Sequence, residues 1–235
     1  MPGIEELLEA FDKRVLVRPS HREPNIVDLS RAVARAAGSD AAVPTLNSTD
    51  MERQIGNADH IVLVLLDGVG TFMVETMPPD SFLRQHLVDE LSTAYPSTTS
   101  VALTSLATGA WPAEHGVTGW WTHISEIDRT AIILRYVTRS DDRDLAELGA
   151  DIEEVFPAPS IIGAIGRDSL MVIPSNIADS TYSTYFGGGH PTVGYGSLEQ
   201  GVSTVIDRVA GANEPMFSYL YTPQVDSLAH LHGMT

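Results

Sequence analysis

Apolar positions along the chain fall into two rhythms. Ile4, Leu7, Leu8 and Phe11, then Ile26, Leu29 and Val33, recur at helical spacing. They predict helices over residues 4–13 and roughly 26–37, read as an N-terminal helical arm over residues 1–40. Ser48 to Gln54 reads as a short capped helix. Ile61 to Leu66 is then an unbroken run of Ile, Val and Leu, the pattern of a strand buried on both faces of a parallel sheet. It stops abruptly at Asp67-Gly68-Val69-Gly70.

Beyond that point the two rhythms alternate. The pattern predicts a helix over 81–91, a short apolar helix over Val101–Ala107 with Gly109 as its stop, and a strand over Ala131–Val137. A short helix over Ser160–Ile165, a strand over Met171–Ile173, an amphipathic helix over Leu198–Val209 and a last strand over Met216–Tyr221 follow. Phe186-Gly187-Gly188-Gly189-His190 and Asp141–Asp144 read as loops. Strands separated by helices imply an α/β fold, a parallel sheet with helices on both faces, occupying residues 41–235.

Composition narrows the functions this fold can carry. With 14 basic against 31 acidic side chains in 235 residues the formal charge is −17, which argues against a nucleic-acid polymer as partner. There is no cysteine, so disulfides, thiolate zinc sites and a cysteine nucleophile are excluded, and any metal must be held by Asp, Glu, His or hydroxyl oxygen. The polar N-terminus and the lack of an 18-residue apolar run predict a soluble, cytoplasmic chain with no membrane partner.

Three segments carry candidate chemistry. Asp67 stands where a buried strand releases its carboxyl end, the edge at which open α/β sheets place ligands. A turn aspartate is the plain structural reading. A carboxylate on a rigid strand end, next to glycines that let backbone come close, also suits a cation. Second, Pro96-Ser97-Thr98-Thr99-Ser100 precedes the short apolar helix, where unpaired N–H groups and the helix dipole favour an anion such as phosphate. Capping accounts for one of these hydroxyls and leaves the others for chemistry. Third, Asp226 and His230 stand four apart, so on a helical turn they share a face and converge on one cation. Such a pair is common on surface helices and weak evidence alone.

Together these segments resemble the alkaline phosphatase superfamily, and within it the type I phosphodiesterase/nucleotide pyrophosphatase family. The order matches: strand then Asp67-Gly68, a hydroxyl-rich segment running to Thr108-Gly109, the turn Pro112-Ala113-Glu114-His115-Gly116, and Tyr221 followed by Asp226-x-x-x-His230-x-x-Gly233. The resemblance implies an alkaline phosphatase-like three-layer α/β/α sandwich and a hydrolase of small, nucleotide-like phosphoric esters. It makes Thr99 the nucleophile, with Thr98 the alternative in register. Two divalent cations, zinc or manganese, would be held by Asp67 with Thr99 and by Asp226 with His230. The family carries an Asn three residues after its nucleophile to bind a phosphoryl oxygen; Ala102 stands there, so either another donor such as the backbone N–H of Ser100 serves or the substrate class differs.

The family also completes its metal shells with an Asp-His pair and a further His beyond the Asp-x-x-x-His segment, which implies that this chain is the N-terminal portion of a longer catalytic domain. Phosphonate and phosphomonoester hydrolysis within the superfamily, and a non-catalytic metal- or phosphate-binding fragment, are the alternative functions. Sulfatase chemistry is excluded by the lack of cysteine. His115 has a structural reading in its Pro-x-x-His-Gly turn, His190 reads as a loop histidine, and Trp120 and Trp121 read as packing residues with base stacking as the alternative.

Overall fold

The computed structural model describes residues 3–13, 15–17 and 20–233. In chain order the elements are α1 (Ile4–Asp12), α2 (Ile26–Ala36), α3 (Leu46–Ile55), β1 (His60–Leu66), α4 (Thr71–Thr76), α5 (Phe82–Gln85), α6 (Thr99–Thr108) and α7 (Pro112–His115). They continue as β2 (Trp121–Ile124), β3 (Arg129–Ile132), β4 (Val137–Thr138), α8 (Ile152–Val155), β5 (Asp168–Pro174), α9 (Thr181–Gly187), β6 (Thr192–Tyr195), α10 (Leu198–Gly211), β7 (Met216–Thr222) and α11 (Gln224–His232). The main sheet is parallel in the order β1-β7-β5-β6. A second sheet, β2-β3-β4, is antiparallel.

Strand periodicity of two sorts the parallel sheet into two faces. Ile61, Met171, Ile173, Phe217, Tyr219 and Tyr221 belong to one large core cluster together with α2 and α6. Val172, Leu220 and Tyr195 pack instead with Val205 of α10. The sheet thus lies between two helical layers, a three-layer α/β/α arrangement. Among the described residues no helix is long and apolar enough to cross a membrane.

α6 is the central helix. Val101, Leu103, Leu106 and Ala107 are buried, and so are Ser100, Thr104, Ser105 and Thr108. A helix buried all round must satisfy its polar side chains internally. Thr104 and Thr108 donate to the carbonyls four residues back, at 2.7 and 2.8 Å. Gly109 ends the helix in the left-handed region at φ 59, and a Cβ there would fall 2.6 Å from Ile161 Cδ1. α2 lies against α6, with Val33, Ala34 and Ala37 in the same core, and Ser30 donates to the Leu106 carbonyl.

Several local expectations are corrected. β1 is an edge strand, with Ile61 buried but Val62 37% and Val64 46% exposed, because α10 covers β5, β6 and β7 and stops short of it. The helix expected over 81–91 shrinks to α5, since Phe82 at 72% and Leu83 at 40% exposure find no surface to bury against. Residues 160–165 form turns instead of a helix, because tertiary partners take their polar groups. Ile161 N–H donates to the Ala107 carbonyl, Ser160 Oγ donates to the Phe186 carbonyl, and Gly163 lies so close to Gly188 that a Cβ on the latter would sit 2.2 Å from its Cα. The strand expected over 131–137 ends at Ile132. The chain turns through Tyr136, at φ 55, and returns as β4.

Candidate functional site

The carboxyl ends of β1 and β7 are neighbours, with Leu66 paired to Thr222. Asp67 N–H donates to the Thr222 carbonyl at 3.0 Å, and Asp226 N–H donates to the Asp67 carbonyl at 3.1 Å. This approach is possible because residue 68 is glycine: it adopts φ 82, and a Cβ on it would lie 2.6 Å from Asp226 N. The two aspartates therefore meet at the edge of the sheet, as strand order and the switch from β to α require.

Asp67, Thr99 and Asp226 line one cavity of about 330 Å³. Tyr221 holds Asp67, its hydroxyl donating to Oδ2 at 2.8 Å. Burial and the negative charge of Asp67 push the Tyr221 phenol well above its ordinary range, so it remains a donor. Asp226 is pushed upward by burial and by Asp67, against the opposing pull of His230. His230 Nε2 lies 3.6 Å from Asp226 Oδ1 on the same face of α11, and its side chain is 81% exposed. It stands at the rim, outside the cavity wall.

The two threonines at the start of α6 are differently engaged. Thr98 Oγ1 and Ser100 Oγ are 2.9 Å apart, and Ser100 Oγ donates to the Gly119 carbonyl at 2.9 Å. Ser100 has a single hydroxyl proton, so Thr98 is the donor in that pair. Thr99, the first residue of the helix, faces the cavity instead. No side chain caps α6, and its first N–H groups, Ser100 among them, have no partner within the helix. The Ser100 side chain itself is fully buried.

The donor set of Asp67, Asp226, His230 and Thr99 fits divalent cations of the zinc or manganese kind in chemistry, being oxygen and imidazole nitrogen. The set is smaller than such an ion commonly takes: among the described residues no three His, Asp or Glu side chains come together as a metal cluster.

His115 is part of the core. Its Nδ1 accepts from Val117 N–H at 3.2 Å, which leaves Nε2–H to donate to Ser105 Oγ at 3.0 Å. Burial lowers its pKa to about 4. A neutral ring that gives its proton to Ser105 cannot act as that hydroxyl's base. His190 Nε2 lies 3.0 Å from the Ile162 carbonyl, which ties the loop down. Trp120 lines the cavity mouth, while Trp121 carries the Arg139 guanidinium 3.9 Å above its ring.

Sequence reasoning did not single out Tyr182, Tyr219 or Tyr221 as site residues. The last two stand two apart on β7, hence on one face, and run toward the strand end that Asp67 flanks; that period of two was the available signal.

A family model described as type I phosphodiesterase/nucleotide pyrophosphatase matches residues 61–235. No curated protein matches the chain. Two structures of murine ectonucleotide pyrophosphatase/phosphodiesterase 5, one of them an inactive variant in complex with AMP, are similar to it at 16% identity and a TM-score of 0.49. The likeness covers 72% of this chain and 44% of theirs, so the chain spans less than half the length of those structures.

Proposed function

Because the chain belongs to the type I phosphodiesterase/nucleotide pyrophosphatase family, we propose that it carries the nucleophile half of a phosphodiesterase or pyrophosphatase-type active site, with Thr99 as the attacking residue. The supporting observation is the division of labour at α6: Thr99 shares a cavity with Asp67 and Asp226, whereas the Thr98 hydroxyl is spent on Ser100.

Thr99 Oγ1 forms a bond to phosphorus as the bond from phosphorus to the leaving oxygen breaks, and water later hydrolyses the phosphothreonine ester. The free N–H groups at the start of α6, with Ser100 standing in for the donor that Ala102 lacks, bind a phosphoryl oxygen through hydrogen bonds and the helix dipole. Tyr221 fixes Asp67 in one orientation. Asp67 with Thr99 would hold one divalent cation, zinc or manganese, and Asp226 with His230 another. Bound there, such ions supply a lowered hydroxyl pKa and neutralisation of phosphoryl charge. The substrate class is a small phosphoric diester or pyrophosphate of nucleotide type.

Hydrolysis of a nitrophenyl phosphodiester with zinc or manganese present tests the reading. Thr99→Ala should lower kcat by about a thousandfold or more, as loss of a nucleophile does. Thr98→Ala should retain activity within about tenfold. A Thr99→Ala protein of undiminished activity overturns the assignment.

A further inference from the structure

The second sheet carries a cavity of its own, about 500 Å³ in volume and lined by His123, Asp128, Arg129, Thr130, Arg139 and Ser140. It shares no residue with the cavity that Thr99 lines, whose walls include Leu103, Met171, Phe186 and Tyr219. Here every side chain is polar, and two are arginines. Residues 129–143 hold four arginines against two aspartates, in a chain whose acids outnumber its bases by 31 to 14. The local charge thus runs opposite to that of the whole molecule and favours an anion.

Strand pairing assembles the donors. Thr122, Ala131 and Thr138 form a buried row across β2, β3 and β4. Side chains alternate along a strand, so the next row faces outward. In that row His123 is paired with Thr130, and Arg139 N–H donates to the Thr130 carbonyl at 2.8 Å as the chain leaves β4. His123, Thr130 and Arg139 therefore stand side by side, neighbouring Cβ atoms being about 5 Å apart in such a row.

The surroundings leave these groups unspent. The Arg139 guanidinium lies 3.9 Å above the ring of Trp121, which fixes its plane, and among the described residues it has no hydrogen bond and no carboxylate partner. The Thr130 hydroxyl has no partner either. Asp141, close by in sequence, is taken by the hydroxyls of Thr138 and Ser140, and Asp142 by Arg135. Asp128 is the acid on the wall; its side chain is 90% exposed and stands 3.7 Å from His123, too far for a hydrogen bond. Arg129 spends one N–H on the Asp128 carbonyl at 2.8 Å and keeps the rest. An arginine stacked on an indole for stability alone is the simplest reading. It does not account for a free hydroxyl and a second guanidinium on the same cavity.

We propose that this cavity is a separate anion site that binds a phosphate group, with the Arg139 fork and the Thr130 hydroxyl donating to its oxygens and Arg129 supplying further positive charge. A planar fork meets two oxygens of a phosphate at once, and a hydroxyl from the adjoining strand meets a third. The phosphate is either free inorganic phosphate or the terminal group of a small phosphorylated molecule. The site stands independently of the hydrolase reading, since none of its residues belongs to that cavity.

Calorimetric titration of inorganic phosphate into the full chain tests it, with a chelator present to keep cation-held phosphate out of the measurement and with ionic strength held constant. Binding should saturate. Arg139→Gln should weaken it at least about tenfold, the size of a charge-assisted hydrogen bond, and Thr130→Val, which suits a strand equally well, about fivefold. Unaltered melting temperatures establish that both variants are folded. Titration that fails to saturate by about 10 mM overturns the site. So does an Arg139→Gln protein of undiminished affinity, and acetate bound as tightly as phosphate overturns the choice of anion. AMP bound at least about tenfold tighter than phosphate, with the same loss in Arg139→Gln, identifies a phosphorylated small molecule as the ligand; AMP bound no tighter identifies free phosphate.

Discussion

Asp67 lines the cavity and His230 stands outside its wall, and the chain treats them differently. Asp67 closes a strand, receives the Tyr221 hydroxyl at 2.8 Å and is bonded through its backbone to both Thr222 and Asp226. Thr99, which lines the same cavity, begins a helix buried on every side. His230 lies two turns along α11, 81% exposed, and meets Asp226 across 3.6 Å. One half of the site inherits its position from the core; the other hangs from a surface helix. Preorganisation, which catalysis by charge stabilisation needs, is thus concentrated in the half proposed to carry the nucleophile, and the backbone contact between Asp67 and Asp226 joins the two.

The largest effect should come from breaking that joint. Gly68→Ala puts a Cβ 2.6 Å from Asp226 N at a φ of 82. Overpacking against backbone and a left-handed Ala together should cost roughly 3 kcal/mol in chemical denaturation. Diester hydrolysis should fall with it, since the halves are pushed apart. A fully stable Gly68→Ala protein would mean the joint is soft.

Next in size is acidification, read at His115. His115 anchors the far end of α6 as a neutral ring, its pKa lowered from 6.5 to about 4. Above pH 6.5 the ring is uncharged whether the chain is folded or not, so it adds no pH dependence. Between pH 6.5 and 4 the unfolded chain binds a proton that the folded one refuses, and stability falls by roughly 3 kcal/mol at most. Denaturation midpoints measured across that window should show this slope, and His115→Gln should flatten it.

Tyr221→Phe sharpens the comparison further. Removing a hydrogen bond to a charged, half-buried acceptor should cost about 1.5 kcal/mol, and activity should fall about tenfold as Asp67 loses its orientation. Smallest in stability is His230→Ala, expected within about 0.5 kcal/mol of the parent because the side chain is so exposed. Its effect should appear instead as a higher metal concentration needed for half-maximal activity. A His230→Ala protein that unfolds easily would show that α11 is more firmly held than its exposure suggests.

How much of this was legible beforehand follows from the range of each signal. The strands β1, β5 and β7, the helices α2, α6 and α10, and the candidate positions Asp67, Thr99, Asp226 and His230 are all written in local runs or fixed spacings. Asp67-Gly68 announced the close approach, because only a glycine tolerates it. The cavity was not legible, since Leu103, Trp120, Met171, Phe186 and Tyr219 come from five separate segments and periodicity does not say which faces will meet. Nor was the edge position of β1: an apolar run reports that a strand could be covered, and here Val62 and Val64 are bare. The turns at 160–165 were misread for a related reason, as their backbone answers to Ala107 and Gly188, far away in sequence.

The meeting of Gly163 and Gly188 reaches further than loop geometry. Gly188 closes α9, the helix that carries Tyr182 and Phe186 to the cavity wall, and Ser160 fastens that end by donating to the Phe186 carbonyl at 2.7 Å. Neither glycine can acquire a side chain without the two backbones separating. The depth of the chamber is therefore a fixed dimension of the scaffold, and any retuning toward bulkier or slimmer guests has to be made by exchanging side chains along its walls.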